Sequence, residues 1–290
     1  MIGVVNHIPV LLNETINYLN PKRGDIYIDG TIGYGGHAIE IIKRILPGGK
    51  LIGIDRDVDV IEIAKKKLSI YGDAVKVIHG DFGDMMAIVS ELGIAVVNGI
   101  LLDLGVSSLQ LGSKGRGFSF DDDISLDMRM DRRSKITAYD LVNNLPEKEL
   151  ASILWRFGEE RQYRRIAKAI VESRRKKPIT TAKMLSEMVS GVYRGRGRLH
   201  PATRMFQALR IAVNDELGSL QRGLKDGISL LKSGGRFCVI SFHSLEDRIV
   251  KDVFRESKHL KVLTKRPIVP TKEEIDRNPR SRSAKLRVAE

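Results

Sequence analysis

A single cysteine, Cys238, in 290 residues rules out an intramolecular disulfide framework and any metal site built from several thiolates, so no metal is expected. No apolar run reaches the length of a membrane-spanning helix, and the N-terminus lacks the hydrophobic segment of a secretory signal. Both gaps point to the cytoplasm and to no membrane partner. Acidic residues are in deficit: 36 Asp and Glu stand against 49 Lys and Arg, a net charge of +13. That surplus implies an anionic partner, most simply nucleic acid. What remains is globular in composition, 42% hydrophobic and 29% charged, and long enough for one large domain or two smaller ones.

The chain is organised around residues 26–57. A β-favouring run, 26–29, meets a glycine-rich turn at Gly30, Gly33, Gly35 and Gly36. A helix-period segment follows with Ile39, Ile42 and Leu46 on one face, and a second apolar run, 51–54, ends on Asp55. This is a β-loop-α-β unit with an acid about 20 residues past the loop, the layout of an adenosine-cofactor site in an open parallel sheet. Asp55 could accept from both ribose hydroxyls. The spacing G-x-x-G-x-G-G differs from the G-x-G-x-x-G of a nicotinamide site, and Asp29 at the end of the first strand would repel a pyrophosphate. It could instead help hold a cationic amino-acid tail, which favours S-adenosylmethionine over NAD. An ordinary tight βα turn is the plain alternative.

Periodicity extends the pattern on both sides. Residues 7–19 read as a short helix, with His7 exposed at its start or reaching the site. Asp57 is an N-cap candidate for a helix with Ile61, Ala64 and Leu68 at helical spacing. A third strand, 74–78, runs into Gly80-Asp81-Phe82, where Asp81 could accept from an adenine amine and Phe82 could cover the ring; a capping Asp beside a core Phe reads equally well. After a helix at 84–92, a near-continuous apolar strand, 96–102, ends on Asp103, so the first, second and fourth strands all close on acids.

The pattern then breaks. Residues 110–133 read as a long loop holding Phe118, Phe120 and an acid run, 121–123, taken as a solvated face. Helices are predicted at 146–157, 162–174 and 181–190, with a long helix from Pro201 that carries Phe206, Leu209, Val213, Leu217, Leu220 and Leu224. Outward-facing cations, Arg161, Arg164, Arg165, Lys168 and the run 174–177, precede Arg194-Gly195-Arg196-Gly197-Arg198, and both suit phosphate contacts. A fifth strand, 236–242, leads to Ser241 and His243, for which structural hydrogen bonds are expected, and to a helix at 245–255 with Glu246 and Asp247 outward. Two β-prone runs, 260–264 and 285–289, could close the sheet as a hairpin. The expected fold is therefore α/β, a doubly wound, mostly parallel sheet (residues 1–108 and 201–290) with an inserted, mostly helical domain (109–200) for substrate recognition.

The segments HIPVLLNE, DGTIGYGGH, LLDLGVSS with Gln110, RGFSF, LDMRMD, GEER, HPATR, SFHSLEDR and NPRSRSAKLR run in order from His7 to the C-terminus. Together they resemble the ribosomal RNA small subunit methyltransferase H family. The resemblance implies a class I S-adenosylmethionine methyltransferase that methylates the exocyclic N4 amine of a cytidine in the decoding region of 16S rRNA, the rRNA being met within the small ribosomal subunit. Matching positions imply cofactor contacts at Gly35, Gly36 and His37, at Asp55 on the ribose, at Phe82 near the adenine, and at Asp103 and Gln110. Ala38 departs from the hydroxyl residue frequent in the family. A homodimer is compatible with the sequence.

The chemistry asks for in-line alignment and for an acceptor on the amine N–H, since the cytosine lone pair is delocalised into the ring. Asp103 is the candidate acceptor, with ligand positioning as its other role. It is followed by Leu104-Gly105-Val106, so the aromatic clamp common at this strand end in amino-methyltransferases is missing, and Phe118 or Phe120 is expected to stack the base. Two other classes stay open: an NAD-dependent enzyme, and a non-catalytic rRNA-binding assembly factor that needs no cofactor pocket.

Overall fold

The computed structural model describes residues 8–193 and 200–290 of the chain. His7 and the arginine-glycine run 194–198 lie outside the described residues. The chain forms two compact units, Met1–Gly105 with Leu217–Glu290, and Val106–Glu216.

The first unit is built on six strands: β1 (Ile26–Asp29), β2 (Lys50–Asp55), β3 (Val75–His79), β4 (Val97–Asp103), β5 (Leu231–Ser241) and β6 (Lys285–Ala289). Their order in the sheet is β3-β2-β1-β4-β5-β6, parallel except for β6, which runs antiparallel to β5. The apolar runs of β1, β4 and β5 are buried on both faces. Alternate side chains enter two cores: Tyr27, Leu51, Leu101 and Ile240 meet the helix Gly36–Ile45, while Ile28, Ile52, Ile100 and Val239 meet helices carrying Leu220, Leu224 and Val250. At about 1.5–3 kcal/mol for each buried branched side chain, these two layers supply most of the drive to form the sheet. The strand order turns back on itself between β1 and β4, and in such sheets the crevice opens outside the carboxyl ends at that point.

The predicted closing hairpin forms only in part. Residues 285–289 do pair with β5, and 261–264 bonds antiparallel to 288–290 about the bridge Val262–Ala289 without forming a strand of its own, while a helix, Lys272–Arg277, occupies the intervening loop. The long helix expected from Pro201 is two helices, Thr203–Asn214 and Glu216–Leu230, parted at Asp215, whose backbone is left-handed with φ 47°. The unit boundary follows the packing: Met205, Phe206, Leu209 and Val213 lie in the core of the second unit, so the junction falls at Glu216–Leu217 instead of at residue 200.

The second unit packs the helices Ala138–Asn144, Glu147–Gly158, Tyr163–Lys176, Ala182–Ser190 and Thr203–Asn214 around one apolar core. The segment read as a loop starts as a short helix, Ser108–Gly112, and the part beyond is ordered by two charged side chains. Asp122, which the sequence places on a solvated face, is 3% exposed and accepts from the amides of Gly115, Gly117, Ile124 and Ser125. Arg116 donates to the carbonyls of Arg129 and Met130. Arg174 is also turned inward from the basic face. It donates to the carbonyls of Val142 and Leu145, at the end of the helix Ala138–Asn144, whereas Arg175, Lys176 and Lys177 are exposed.

Candidate cofactor site at the carboxyl edge of the sheet

Five side chains of the first unit converge where β1, β2 and β4 end. The turn from β1 passes through Gly35, whose φ of 77° suits glycine and delivers the chain into the helix Gly36–Ile45 with no side chain capping its first amides. Those amides, with the positive end of the helix behind them, form a cradle for an anionic or carboxylate group. A side chain on Gly36 would run into Pro9, and one on Gly30 would meet Leu102 at 2.5 Å, so the loop is held close to the strands on both flanks.

The acids at the strand ends are unusual in what surrounds them. Asp29 is 1% exposed and takes only a long contact, 3.3 Å, from the Thr31 amide; burial, with Asp55 adding repulsion, pushes its carboxyl up to about 7. Asp103 lies at the end of β4, where its own amide donates to Thr31 Oγ1 at 2.6 Å. Burial and then the charges of Asp29 and Glu246 raise its carboxyl well above the ordinary range, and its Oδ1 is buried with no hydrogen-bond partner. Its Oδ2 lies 3.8 Å from Nδ1 of His37. His37 is itself buried, with Nε2 against the Val10 carbonyl at 3.1 Å. A carbonyl only accepts, so Nε2 carries a proton and Nδ1 faces Asp103. Asp55 is raised by burial too, but less freely, because the amides of Gly33, Asp57 and Arg56 bond it and fix its orientation.

Phe82 has its Cβ beside Gly30, 3.0 Å from where a Cβ on that glycine would lie, while its ring lies against Gly223 and under the Arg56 guanidinium. Its neighbour Asp81 has another employment than a base-reading acceptor. Arg56 approaches Oδ2 to 2.6 Å, Ser219 donates to it at 2.7 Å and Arg222 at 3.3 Å, while Oδ1 takes the Gly83 amide. Burial alone would raise this carboxyl; Arg56 and the hydrogen bonds outweigh it and hold it below the usual range. Asp81 is thus the capping, ion-paired acid.

At the end of β5, Ser241 and His243 have the structural roles expected of them. Ser241 Oγ contacts the Lys285 carbonyl at 3.4 Å, and His243 caps the helix Ser244–Glu256 by accepting from the Glu246 amide. Glu246 is the correction here. Far from facing outward, it is 2% exposed and its Oε2 accepts from the amides of Phe242 and His243, which brings its charge to bear on Asp103. The signal was present in the sequence, since a capping residue followed three positions later by Glu is a capping box. Asp247 also turns in, to Arg287 at 2.6 Å and Lys285 at 3.2 Å.

Gln110 belongs to the second unit, where its Oε1 accepts from the Ser107 amide at 2.9 Å; it is not among the residues the first unit gathers. Of the two aromatics expected to stack a base, Phe118 is 6% exposed and part of the second unit's core, so it is not a free surface. Phe120 already has one ring face covered by His200, centroids 4.5 Å apart, and its other close ring contact is the edge of Phe206.

The gathered groups fit an adenosine cofactor that carries positive charge. Asp55 is fixed by backbone amides, and Asp29 and Asp103 are carboxyls that no lysine or arginine pairs with among the described residues. The unmet acceptor on Asp103 marks a carboxyl that the described residues leave incomplete.

Comparison with known proteins agrees over nearly the whole chain. The sequence model of the MraW methylase family matches residues 4–290. A protein of Pelobacter propionicus named ribosomal RNA small subunit methyltransferase H is 50% identical, with 98% of each chain covered. Proteins of the same name from Caldicellulosiruptor saccharolyticus and Geotalea uraniireducens are 49% identical, again over 98% of both chains.

Proposed function

The chain belongs to the MraW methylase family, and from that premise we propose that it methylates the exocyclic N4 amine of a cytidine in the decoding region of 16S rRNA. Its methyl donor is S-adenosylmethionine. Like the relatives named for small-subunit rRNA, it acts on that RNA, within the small ribosomal subunit and in the cytoplasm. The inserted second unit presents the RNA.

When bound, S-adenosylmethionine supplies a methyl group made electrophilic by the adjoining sulfonium charge. The residues of this chain do the rest by placement. Gly35, Gly36 and His37 would hold the amino-acid end of the cofactor, Asp55 would accept from its ribose, and Phe82 would contact the adenine. Gln110 is a cofactor contact only as what the motif it shares with the family implies. Asp103 has two duties that its two oxygens divide. The buried Oδ1 adds negative charge from behind the strand end, and Oδ2, on the His37 side, would accept the N–H of the target amine and take its proton during or after transfer. Burial, Asp29 and Glu246 all raise the Asp103 carboxyl; positive charge in the crevice would lower it again and ready it to accept.

The observation that carries the reading is the group of buried, cation-free carboxyls at the turning point of a methylase's sheet. It is tested by incubating small subunits that lack the modification with the protein and methyl-labelled S-adenosylmethionine, then identifying the labelled nucleoside by mass spectrometry. Label in N4-methylcytidine is expected. Label on a ring carbon, on a ribose or on another base would overturn the assignment.

A further inference from the structure

The chain has one tryptophan, Trp155, and it is 55% exposed. It lies on the helix Glu147–Gly158, one residue past Leu154, which is fully buried, so the register turns it outward from the core stripe. A helical side chain leans over the residues three and four positions before it. Here those are Ser152 and Ala151, both small, and the space they leave is a cavity of about 410 Å³. Tyr163 and Arg164, at the start of the next helix, close its other wall. The rings of Trp155 and Tyr163 stand 5.3 Å apart at 43°, and the Arg164 guanidinium lies 5.4 Å from the Tyr163 ring centre.

Exposed aromatic area of this size is costly to leave in water, and its surroundings say what would cover it. Lys148 lines the cavity, while Arg161, Arg165 and Lys168 are exposed on the same helix hairpin. Glu147 also lines it, and Lys168 approaches Glu172 at 3.8 Å, so the cationic excess is moderate. An acidic peptide would use the cations and leave the rings idle; an apolar helix would use the rings and strand the cations. An unpaired nucleotide uses both, with a base on the aromatic wall, its phosphates on Arg164 and Lys148, and Glu147 or Ser152 available to exocyclic amines.

We propose that Trp155, Tyr163, Arg164 and Lys148 form an RNA-holding platform in the second unit that stacks one unpaired base of the substrate and grips its flanking phosphates. It deepens the rRNA reading above and rests on it. The platform adds affinity without touching the reacting atoms, so its loss raises KM and leaves kcat in place.

Trp155 reports on its own site, because every change in tryptophan emission belongs to it. The full-length protein is titrated with an unpaired oligoribonucleotide and with a duplex of the same length, binding being followed in parallel by anisotropy of labelled RNA. Saturable quenching by the unpaired strand, and much less by the duplex, is expected. Trp155→Ala should weaken single-strand binding about tenfold, Trp155→Phe should restore most of it, and both should leave S-adenosylmethionine affinity unchanged. Emission that stays constant while anisotropy and methyl transfer show RNA bound would overturn the platform and spare the functional reading. Binding to small-subunit proteins that Trp155→Ala abolishes, with RNA anisotropy unchanged by the same substitution, would overturn it in favour of a protein-docking face. Failure of the unaltered protein to bind or methylate small-subunit RNA would overturn the platform and the functional reading together.

Discussion

Asp103 and Asp122 are both largely withdrawn from water, and their carboxyls shift in opposite directions. Asp122 accepts four backbone amides, and although burial pushes it up, those bonds pull it below the usual range. Asp103 has burial, Asp29 and Glu246 acting on it, all upward, and one oxygen with nothing to accept. The contrast separates an acid that builds structure from one held ready for a ligand. Backbone amides complete the first before any ligand arrives, whereas the second is completed only by what binds. Asp81 stands with Asp122 although it lies at the cofactor edge, because Arg56 and Ser219 already satisfy it.

The comparison can be broken by pH. Asp29 has a folded pKa near 7, above its ordinary 3.8, so the folded state holds the proton longer than the unfolded one. Its contribution to stability is therefore complete below pH 4 and is lost as pH rises through 7, about 4 kcal/mol at the limit of full burial. Asp122 and Asp81, held low, behave in the opposite sense, stabilising above pH 4 and failing as pH falls. Denaturant unfolding between pH 4.5 and 8 should show Asp29→Asn gaining on the unaltered protein as pH rises; parallel curves would mean that Asp29 is not held protonated.

Removing the structural acid comes next in size. Asp122→Ala strands four amides in the second unit and should lower its stability by about 3 kcal/mol, seen as an earlier denaturant midpoint, with cofactor affinity in the first unit little changed. Asp103→Asn should do the reverse. It replaces a carboxyl that burial and two neighbouring acids disfavour in its charged form by a neutral group of the same shape, so stability holds or rises, while methyl transfer falls about a hundredfold. Equal loss of cofactor binding and of turnover would make Asp103 a cofactor ligand only.

The smallest effect concerns neighbours on one helix. Arg174→Ala removes two donors to helix-end carbonyls and should cost about 1–2 kcal/mol of stability. Reversing Arg175, Lys176 and Lys177 should leave stability nearly unchanged but weaken RNA binding and flatten its dependence on salt. Unaltered RNA affinity in the triple variant would make that run a solvated surface.

Much of the first unit could be read from the chain because buried parallel strands are continuous apolar runs and their acids stand at the ends. Asp29, Asp55 and Asp103 were visible that way, and Asp57 does cap its helix, accepting from the Asp59 amide. What escaped was set by backbone geometry that side-chain periodicity does not encode. Glu246 has a helical position that reads as outward, yet the capping box folds it back onto the end of β5. The kink at Asp215 falls between the apolar positions Val213 and Leu217, whose helical spacing runs on across it, so nothing in the apolar spacing marks it. Asp122 looked solvated because its partners are main-chain amides, which leave no trace in residue types. The helix Ala138–Asn144 was legible after all, since Thr137 and Asp140 form a capping box in an otherwise polar stretch.

The central claim is that uncompensated carboxyls at the sheet edge await positive charge, and calorimetry in buffers of different ionisation enthalpy tests it most directly. S-adenosylmethionine carries a net positive charge and its demethylated product, S-adenosylhomocysteine, does not. Near pH 7 the first should displace protons from Asp29 and Asp103 on binding, and the second should displace markedly fewer. Equal proton release by the two, or none by either, would contradict the account.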